Sequence, residues 1–225
     1  ERDAVGNWSS SGSSTIVIDN TAPTVTLTDD HSDLRVKDAD NVVITATFND
    51  SMTSAPTISI DVAVGTDADI SATAMSGSGT TWTYTFDVPS GHDGNATVTV
   101  AGTDVAGNAY AGSDTIVYII DNTAPNVTLT DDHSDLKVKD ADNVVITATF
   151  DESMTSAPTI SIDVAVGTDA DISATAMSGS GTTWTYTFDV PSGHDGNATV
   201  TVAGTDVAGN AYAGSDTIVY IIDNT

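Results

Sequence analysis

A stretch of 102 residues occurs twice in this chain. Residues 19–120 and 121–222 differ at four positions only: Thr24/Asn126, Arg35/Lys137, Asn49/Asp151 and Asp50/Glu152. The run Asp19-Asn20-Thr21-Ala22-Pro23 returns as Asp121-Asn122-Thr123-Ala124-Pro125 and starts again at Asp223-Asn224-Thr225. A period of this length gives each copy room for one domain of about 100 residues. Four segments are therefore expected: 1–18, the tail of a preceding repeat; 19–120, repeat 1; 121–222, repeat 2; and 223–225, the start of the next linker. Asp3-Ala4-Val5-Gly6-Asn7 resembles Asp104-Val105-Ala106-Gly107-Asn108. The chain therefore reads as a fragment of an array that continues on both sides, and a missing signal peptide says nothing about export.

Within each copy, apolar residues alternate with Thr at period two, and no helical stripe occurs. The expected strands of the first copy are A at 25–28, B at 42–48, C at 57–62, D at 70–75, E at 82–88, F at 96–100 and G at 115–120. Strand E is the clearest, with Trp82, Tyr84, Phe86 and Val88 on one face and Thr83, Thr85 and Asp87 on the other. Thr suits the outward face of a half-buried strand, and Gly, Asp, Asn, Ser and Pro fill the gaps at sandwich spacing. The fold class is all-β: tandem seven-stranded Ig-like sandwiches, stacked end to end. A fibronectin-III or cadherin-like sandwich has the same strand number and competes with this reading. An odd number of up-and-down strands puts the termini of each copy at opposite ends, so the copies are expected to form a monomeric rod. The linker is short, and its Pro restricts it further.

Charge and cysteine content narrow the function. There are 32 acidic and 5 basic residues, for a net charge of −27, and cysteine is absent. Nucleic acid and anionic membrane surfaces would repel such a chain, and no apolar run is long enough for a membrane helix. A hydrophobic content of 39% still permits a core, which separates the chain from disordered acidic tails. An extracellular sandwich without disulfides needs another stiffener, and a metal is the usual one.

Strand order predicts which loops share an end. The B–C and F–G loops fall beside the incoming linker; the A–B and E–F loops face the next copy. At the junction of the two copies, the linker gives Asp121 and Asn122. The second copy's B–C loop gives Asp151 and Glu152, and its F–G loop gives Asp206 and Asn210. The first copy's A–B loop offers Asp29, Asp30, Asp33, Asp38 and Asp40, and its E–F loop offers Asp93 and Asn95. One period earlier the corresponding residues are Asp19, Asn20, Asp50, Asp104 and Asn108. So many carboxylates at one end repel unless a cation lies among them. Several hard oxygen ligands without Cys suit Ca2+. Calcium shared across the linker would turn a string of beads into a stiff spacer.

The order of Asp104-Val105-Ala106-Gly107-Asn108 and Asp121-Asn122-Thr123-Ala124-Pro125 resembles the bacterial Ig-like repeats of giant surface adhesins. Phe150-Asp151-Glu152-Ser153-Met154, followed by Pro158-Thr159-Ile160-Ser161-Ile162, is similar to another stretch of those repeats. The resemblance covers nearly the whole chain. It implies an Ig-like fold, display on the bacterial cell surface and calcium at domain junctions, with Asp104, Asn108, Asp121, Asp206 and Asn210 as ligands. Asn49-Asp50 in place of Asp151-Glu152 implies a weaker site in the first copy.

Simpler readings stand beside these. Asp and Asn form turns without any metal, and Asp67, Asp69 and Asp114 read as solubilising charges. Asp61 and Asp163 are expected to face solvent. His31 and His92 fall at one end, but no His-x-x-x-His spacing or Cys partner supports a transition-metal pair. Trp82, Tyr84 and Phe86 read as core. Lys37 and Lys139 sit in an acidic loop, unsuited to an isopeptide bond. The sequons at Asn7, Asn95, Asn126 and Asn197 matter only in a eukaryotic source. The chain is expected to be a non-catalytic spacer whose partners are neighbouring repeats, with any host-surface or glycan target met by other domains. Two alternatives remain: a carbohydrate- or protein-binding Ig-like module, using exposed Trp8, Tyr110 and Tyr212, or an accessory segment of a secreted hydrolase.

Overall fold

The computed structural model describes residues 12–63, 68–165 and 170–225, with residues 2, 4–6 and 8 before them. Regular structure among these is all β. The first copy holds β1 (Val25–Asp29), β2 (Arg35–Val36), β3 (Asn41–Phe48), β4 (Thr57–Val62), β5 (Ile70–Ala74), β6 (Ser76–Ser78), β7 (Thr81–Asp87), β8 (Gly94–Ala101) and β9 (Ile116–Ile120). The second copy repeats them as β10 (Val127–Asp131), β11 (Lys137–Val138), β12 (Asn143–Phe150), β13 (Thr159–Val164), β14 (Ile172–Ala176), β15 (Ser178–Ser180), β16 (Thr183–Asp189), β17 (Gly196–Ala203) and β18 (Ile218–Ile222). The seven expected strands are all present, each end within two residues of its expected place, but the count per copy among the described residues is nine.

The two extra strands have local causes. The two-residue β2 runs parallel to β9, Arg35 opposite Ile119 and Val36 opposite Ile120; a strand that short has no alternation to read. Strand D divides at Met75. Its first part, β5, pairs with β4 across a register shift between Ile58 and Ile60. Its second part, β6, crosses to pair with β7. Met75 itself is buried at the crossing. β6 has no apolar side chain, and Gly77 is there for space: a Cβ on it would lie 2.3 Å from the Thr81 carbonyl oxygen.

Each copy closes two sheets over its own core. In the first copy one sheet has the order β1-β3-β7-β6 and the other β2-β9-β8-β4-β5; the second copy matches. Val42, Ile44, Ala46 and Phe48 point inward from β3, and Ile58, Ile60 and Val62 from β4. From β7, Trp82 and Phe86 are buried, whereas Tyr84 is only half-buried against the same cluster. Burying each large side chain contributes about 1.5–3 kcal/mol. Tyr118 of β9 is fully buried beneath them, its ring 6.1 Å from Phe86. Among the described residues its hydroxyl has no partner at hydrogen-bonding geometry. Burial first, and then Asp29 beside it, raise its pKa.

The strand order sends the linker after β9 away from the first copy's B–C loop and toward the second copy's. The Asp121 amide donates to the Val36 carbonyl at 2.9 Å, so the sheet of the first copy holds the backbone as far as the linker.

Candidate metal centre at the linker

The F–G loop of the second copy is a closed turn over residues 206–210. The Asp206 amide donates to the Asn210 carbonyl at 3.0 Å, and the Gly209 amide returns to the Asp206 carbonyl at 3.2 Å. The Asp206 carboxylate is fully buried. Its Oδ1 accepts the Asn210 amide at 2.8 Å and its Oδ2 accepts Asn210 Nδ2 at 2.9 Å. A buried carboxylate tolerates that position because it is hydrogen-bonded. Asn210 Nδ2 also donates to the Asp121 carbonyl at 2.8 Å, which ties the linker to the loop.

Asp121, Glu152 and Asp206 each offer one carboxylate oxygen, and the three oxygens lie within 4.8 Å of one another. Three like charges that close raise the proton affinity of the group least able to stay ionised. That group is Glu152: burial, then the charges of Asp121 and Asp206, push its carboxyl from 4.5 up to about 7. A hydrogen bond from Glu152 to Asp121 belongs to the same protonated state. The donor set is all oxygen and hard, which fits Ca2+ better than a thiophilic ion.

The other expected ligands take different positions. Asp151 turns away from the cluster: its carboxylate accepts the Asn126 amide at 2.8 Å and Asn126 Nδ2 at 3.0 Å. Those bonds, the side-chain one first, hold its carboxyl below the usual range. In the first copy, Asn49 Oδ1 accepts the Thr24 amide at 2.7 Å. Two of the four differences between the copies are thus partners, Thr24 with Asn49 and Asn126 with Asp151. The first copy repeats the loop: Asp104 is fully buried, Asn108 Nδ2 donates to its Oδ2 at 3.0 Å, and also to the Asp19 carbonyl at 3.2 Å. Burial raises the Asp104 carboxyl, but the donors from Asn108, Ala106 and Gly107 outweigh it and leave the group lowered. Asp50 is one methylene shorter than Glu152, and among the described residues only the second copy brings three carboxylates together.

The acidic loops at the far end of the first copy do not join this cluster. They pin the linker instead. The Asn122 amide donates to Asp93 Oδ1 at 2.6 Å and Thr123 Oγ1 to Asp93 Oδ2 at 2.7 Å. Asn122 Nδ2 donates to the Pro89 and His92 carbonyls at 3.1 and 2.6 Å, and its Oδ1 accepts the Asp38 amide at 2.5 Å. Asp40 Oδ2 accepts the Lys37 amide at 2.9 Å. Asp29, Asp30 and Asp33 cap backbone amides of His31, Val43 and Arg35. Asn95 is placed within β8 rather than in the E–F loop. Asn20 is exposed at the first copy's linker.

A model of the bacterial Ig-like domain (group 3) family matches residues 80–225, well over half of the chain. The chain belongs to this family. Among solved structures, this bacterial Ig-like chain is similar to a tetra-tandem repeat in the extending region of a large adhesion protein. The two are 24% identical over 92% of this chain and 50% of that one, with a TM-score of 0.41. The chain therefore spans about half the length of that structure. It is also similar to the fibronectin(III)-like modules of Clostridium thermocellum CbhA, at 15% identity over 88% of this chain and 94% of that one, TM-score 0.38. The mouse nectin-like molecule 4 ectodomain follows, at 12% identity over 89% and 64%, TM-score 0.37. No match was found among curated proteins.

Several readings of this Ig-like chain are corrected by the structure. Tyr110 and Tyr212 are not an exposed platform: they are half-buried, edge-on to Phe48 and Phe150 with ring centroids 6.1 Å apart. Trp8 is exposed, with the Arg2 guanidinium 4.7 Å from its ring. Asp114 and Asp69 are more than solubilising charges, since Asp114 accepts the Tyr110 hydroxyl at 2.7 Å and Asp69 the Val62 amide at 2.9 Å. Asp61 and Asp163 face solvent as expected. His31 lies beside Asp33 and Asp40, and His92 Nδ1 lies 2.9 Å from the Ser90 carbonyl. Asp3, Asn7 and Asp67 lie outside the described residues. One participant was missed altogether. Lys37 donates its ammonium to the Gly209 carbonyl of the other copy; a lone lysine in an acidic run gives no sequence signal for that.

Proposed function

We propose that this chain is a pair of spacer domains, bounded at 19–120 and 121–222, from the extracellular region of a bacterial surface adhesin. In this reading calcium stiffens their junction and no chemistry is catalysed. The observation that carries it is the convergence of Asp121, Glu152 and Asp206 at the linker, with oxygens within 4.8 Å. Asp121 belongs to the linker, Glu152 to the B–C loop and Asp206 to the F–G loop. A cation held by all three would fix the linker to the second domain, whose Asn210 already grips the Asp121 carbonyl. Asp121, Glu152 and Asp206 would hold the ion, and calcium would supply neutralisation of their charge.

Near-identical copies support the spacer role, because a spacer needs length and copy number rather than distinct sites. The net charge of −27 favours a cation-rich exterior. Neighbouring repeats are the immediate partners, and a host-surface or glycan target belongs to other domains. The binding-module alternative loses its aromatic platform, since Tyr110 and Tyr212 pack inward.

The test is calorimetric titration of calcium into the two-copy chain and into Asp121→Ala. A dissociation constant of about 10⁻⁴ to 10⁻³ M, as in extracellular modules, is expected for the parent, with the heat lost in the variant. Equal heats in both, or none in either, would sink the metal reading.

A further inference from the structure

The two copies share one F–G loop sequence, Asp-Val-Ala-Gly-Asn, but the loops meet different surroundings. In the first copy Val105 is 70% exposed, and Ala106 and Gly107 are exposed beside it. In the second copy Ala208 is 8% exposed and Val207 and Gly209 are half-buried. Identical residues differ in burial only because something covers one loop. What covers it is the A–B loop of the first copy, through Lys37. A Cβ added to Gly209 would lie 3.1 Å from Lys37 Nζ and 3.3 Å from its Cε, whereas one added to Gly107 would meet nothing within 4 Å.

The lysines report the same asymmetry. Lys37 is half-buried and its ammonium donates to the Gly209 carbonyl. Lys139, one period later, is exposed. It lines a cavity of about 350 Å³ with His133, Asp135, Val138, Asp142 and Asp223.

We propose that the A–B loop around Lys37 is a docking seat for the Val-Ala-Gly segment of the following repeat. The lysine latches it by direct hydrogen bonding, so that the hinge is held by protein contact as well as by any cation. The partner chemistry is specific. An ammonium seeks a carbonyl oxygen, and a small, apolar loop ending in glycine lets it reach one without steric cost. In a chain with only five basic residues, an ammonium among acidic loops also lowers the repulsion between two like-charged ends. The seat around Lys139 differs in sequence only by Lys137 in place of Arg35.

The experiment measures the hinge. The chain has no cysteine, so spin labels at Ser71→Cys and Ser173→Cys, both exposed, report the inter-copy distance distribution by double electron–electron resonance. Lys37→Met keeps the stem and removes the donor; Lys139→Met makes the same charge change away from the junction. The latch predicts that Lys37→Met broadens the distribution, at least twofold in width, in chelator and in calcium alike, while Lys139→Met matches the parent. Equal widths in parent and Lys37→Met overturn it. So does equal broadening by both variants, which would assign the effect to net charge. A chain indifferent to calcium but loosened by Lys37→Met would end the metal reading and leave the latch standing.

Discussion

The B–C loops of the two copies end on Asp50 in one and Glu152 in the other, and a single methylene separates their fates. The longer side chain reaches Asp121 and Asp206, and burial first, then their charges, raise it toward neutral pH. The shorter one leaves Asp104 held by its own loop, with donors from Asn108 and Ala106. The buried Asp is therefore a structural cap first, satisfied without an ion. Among the described residues, only in the second copy do further carboxylates approach it. Repeats 98 positions alike out of 102 thus differ where the ends meet, in electrostatics and in which loop is covered.

The comparison assumes that each copy folds on its own core, and the largest expected effect tests that. Phe86 and Phe188 are fully buried in separate clusters. Phe86→Ala should cost about 3–5 kcal/mol and lower only one of two transitions in calorimetry, with Phe188→Ala lowering the other. A single transition that moves equally in both variants would mean that the copies melt as one unit.

Calcium should act unequally on those transitions. At a concentration about 100-fold above its dissociation constant, a ligand stabilises its site by about 2.7 kcal/mol. The gain is expected in the second copy alone. Glu152→Asp should reduce the second copy to the level of the first, and Asp50→Glu should confer a calcium response on the first. Calorimetry with and without chelator decides it; an Asp50→Glu variant that stays indifferent would show that reach is not the controlling variable.

The architecture was legible because Thr and apolar residues alternate so regularly; β3, β4, β7 and β8 follow that alternation directly. The β2 and β6 strands were not, being too short or too polar to carry a period. Loop placement followed from strand order, and it brought Asp121, Glu152 and Asp206 to one end. Which carboxylates would stay free was illegible, because Asp93, Asp40 and Asp151 satisfy backbone amides that no pattern announces. The swap of Thr24 and Asn49 for Asn126 and Asp151 did carry a signal, since the two changes occur together.

Acidity offers a finer test, with opposite signs at two carboxyls of one junction. Glu152 is raised from 4.5 to about 7. Its contribution to metal-free stability is full below about pH 4.5 and gone once the pH passes 7. Asp93 is lowered from 3.8, by the Thr123 hydroxyl first and then the Asn122 amide. Its contribution is present above that value and lost as the pH falls below it. Chelated chain should therefore lose stability in denaturant titrations between pH 4.5 and 7, and Glu152→Gln should flatten that limb. An unchanged limb in the variant would mean that the cluster is not strained.

The smallest effect concerns the turn that carries the latch. Ala39 and Ala141 have φ of 89° and 80°, in the left-handed region that favours glycine. Each is the third residue of a turn closed by the Asp40 or Asp142 amide on the Lys37 or Lys139 carbonyl at 3.0 Å. That position asks for positive φ in a type II turn. Ala39→Gly and Ala141→Gly should each gain up to about 1 kcal/mol from relieved strain, less the entropy that glycine adds to the unfolded chain. If the turn around Lys37 is also braced by docking, Ala39→Gly should gain less than Ala141→Gly, because the docked A–B loop already holds its conformation. Denaturant midpoints of the two variants resolve this; a larger gain at position 39 would show that docking strains the turn rather than bracing it.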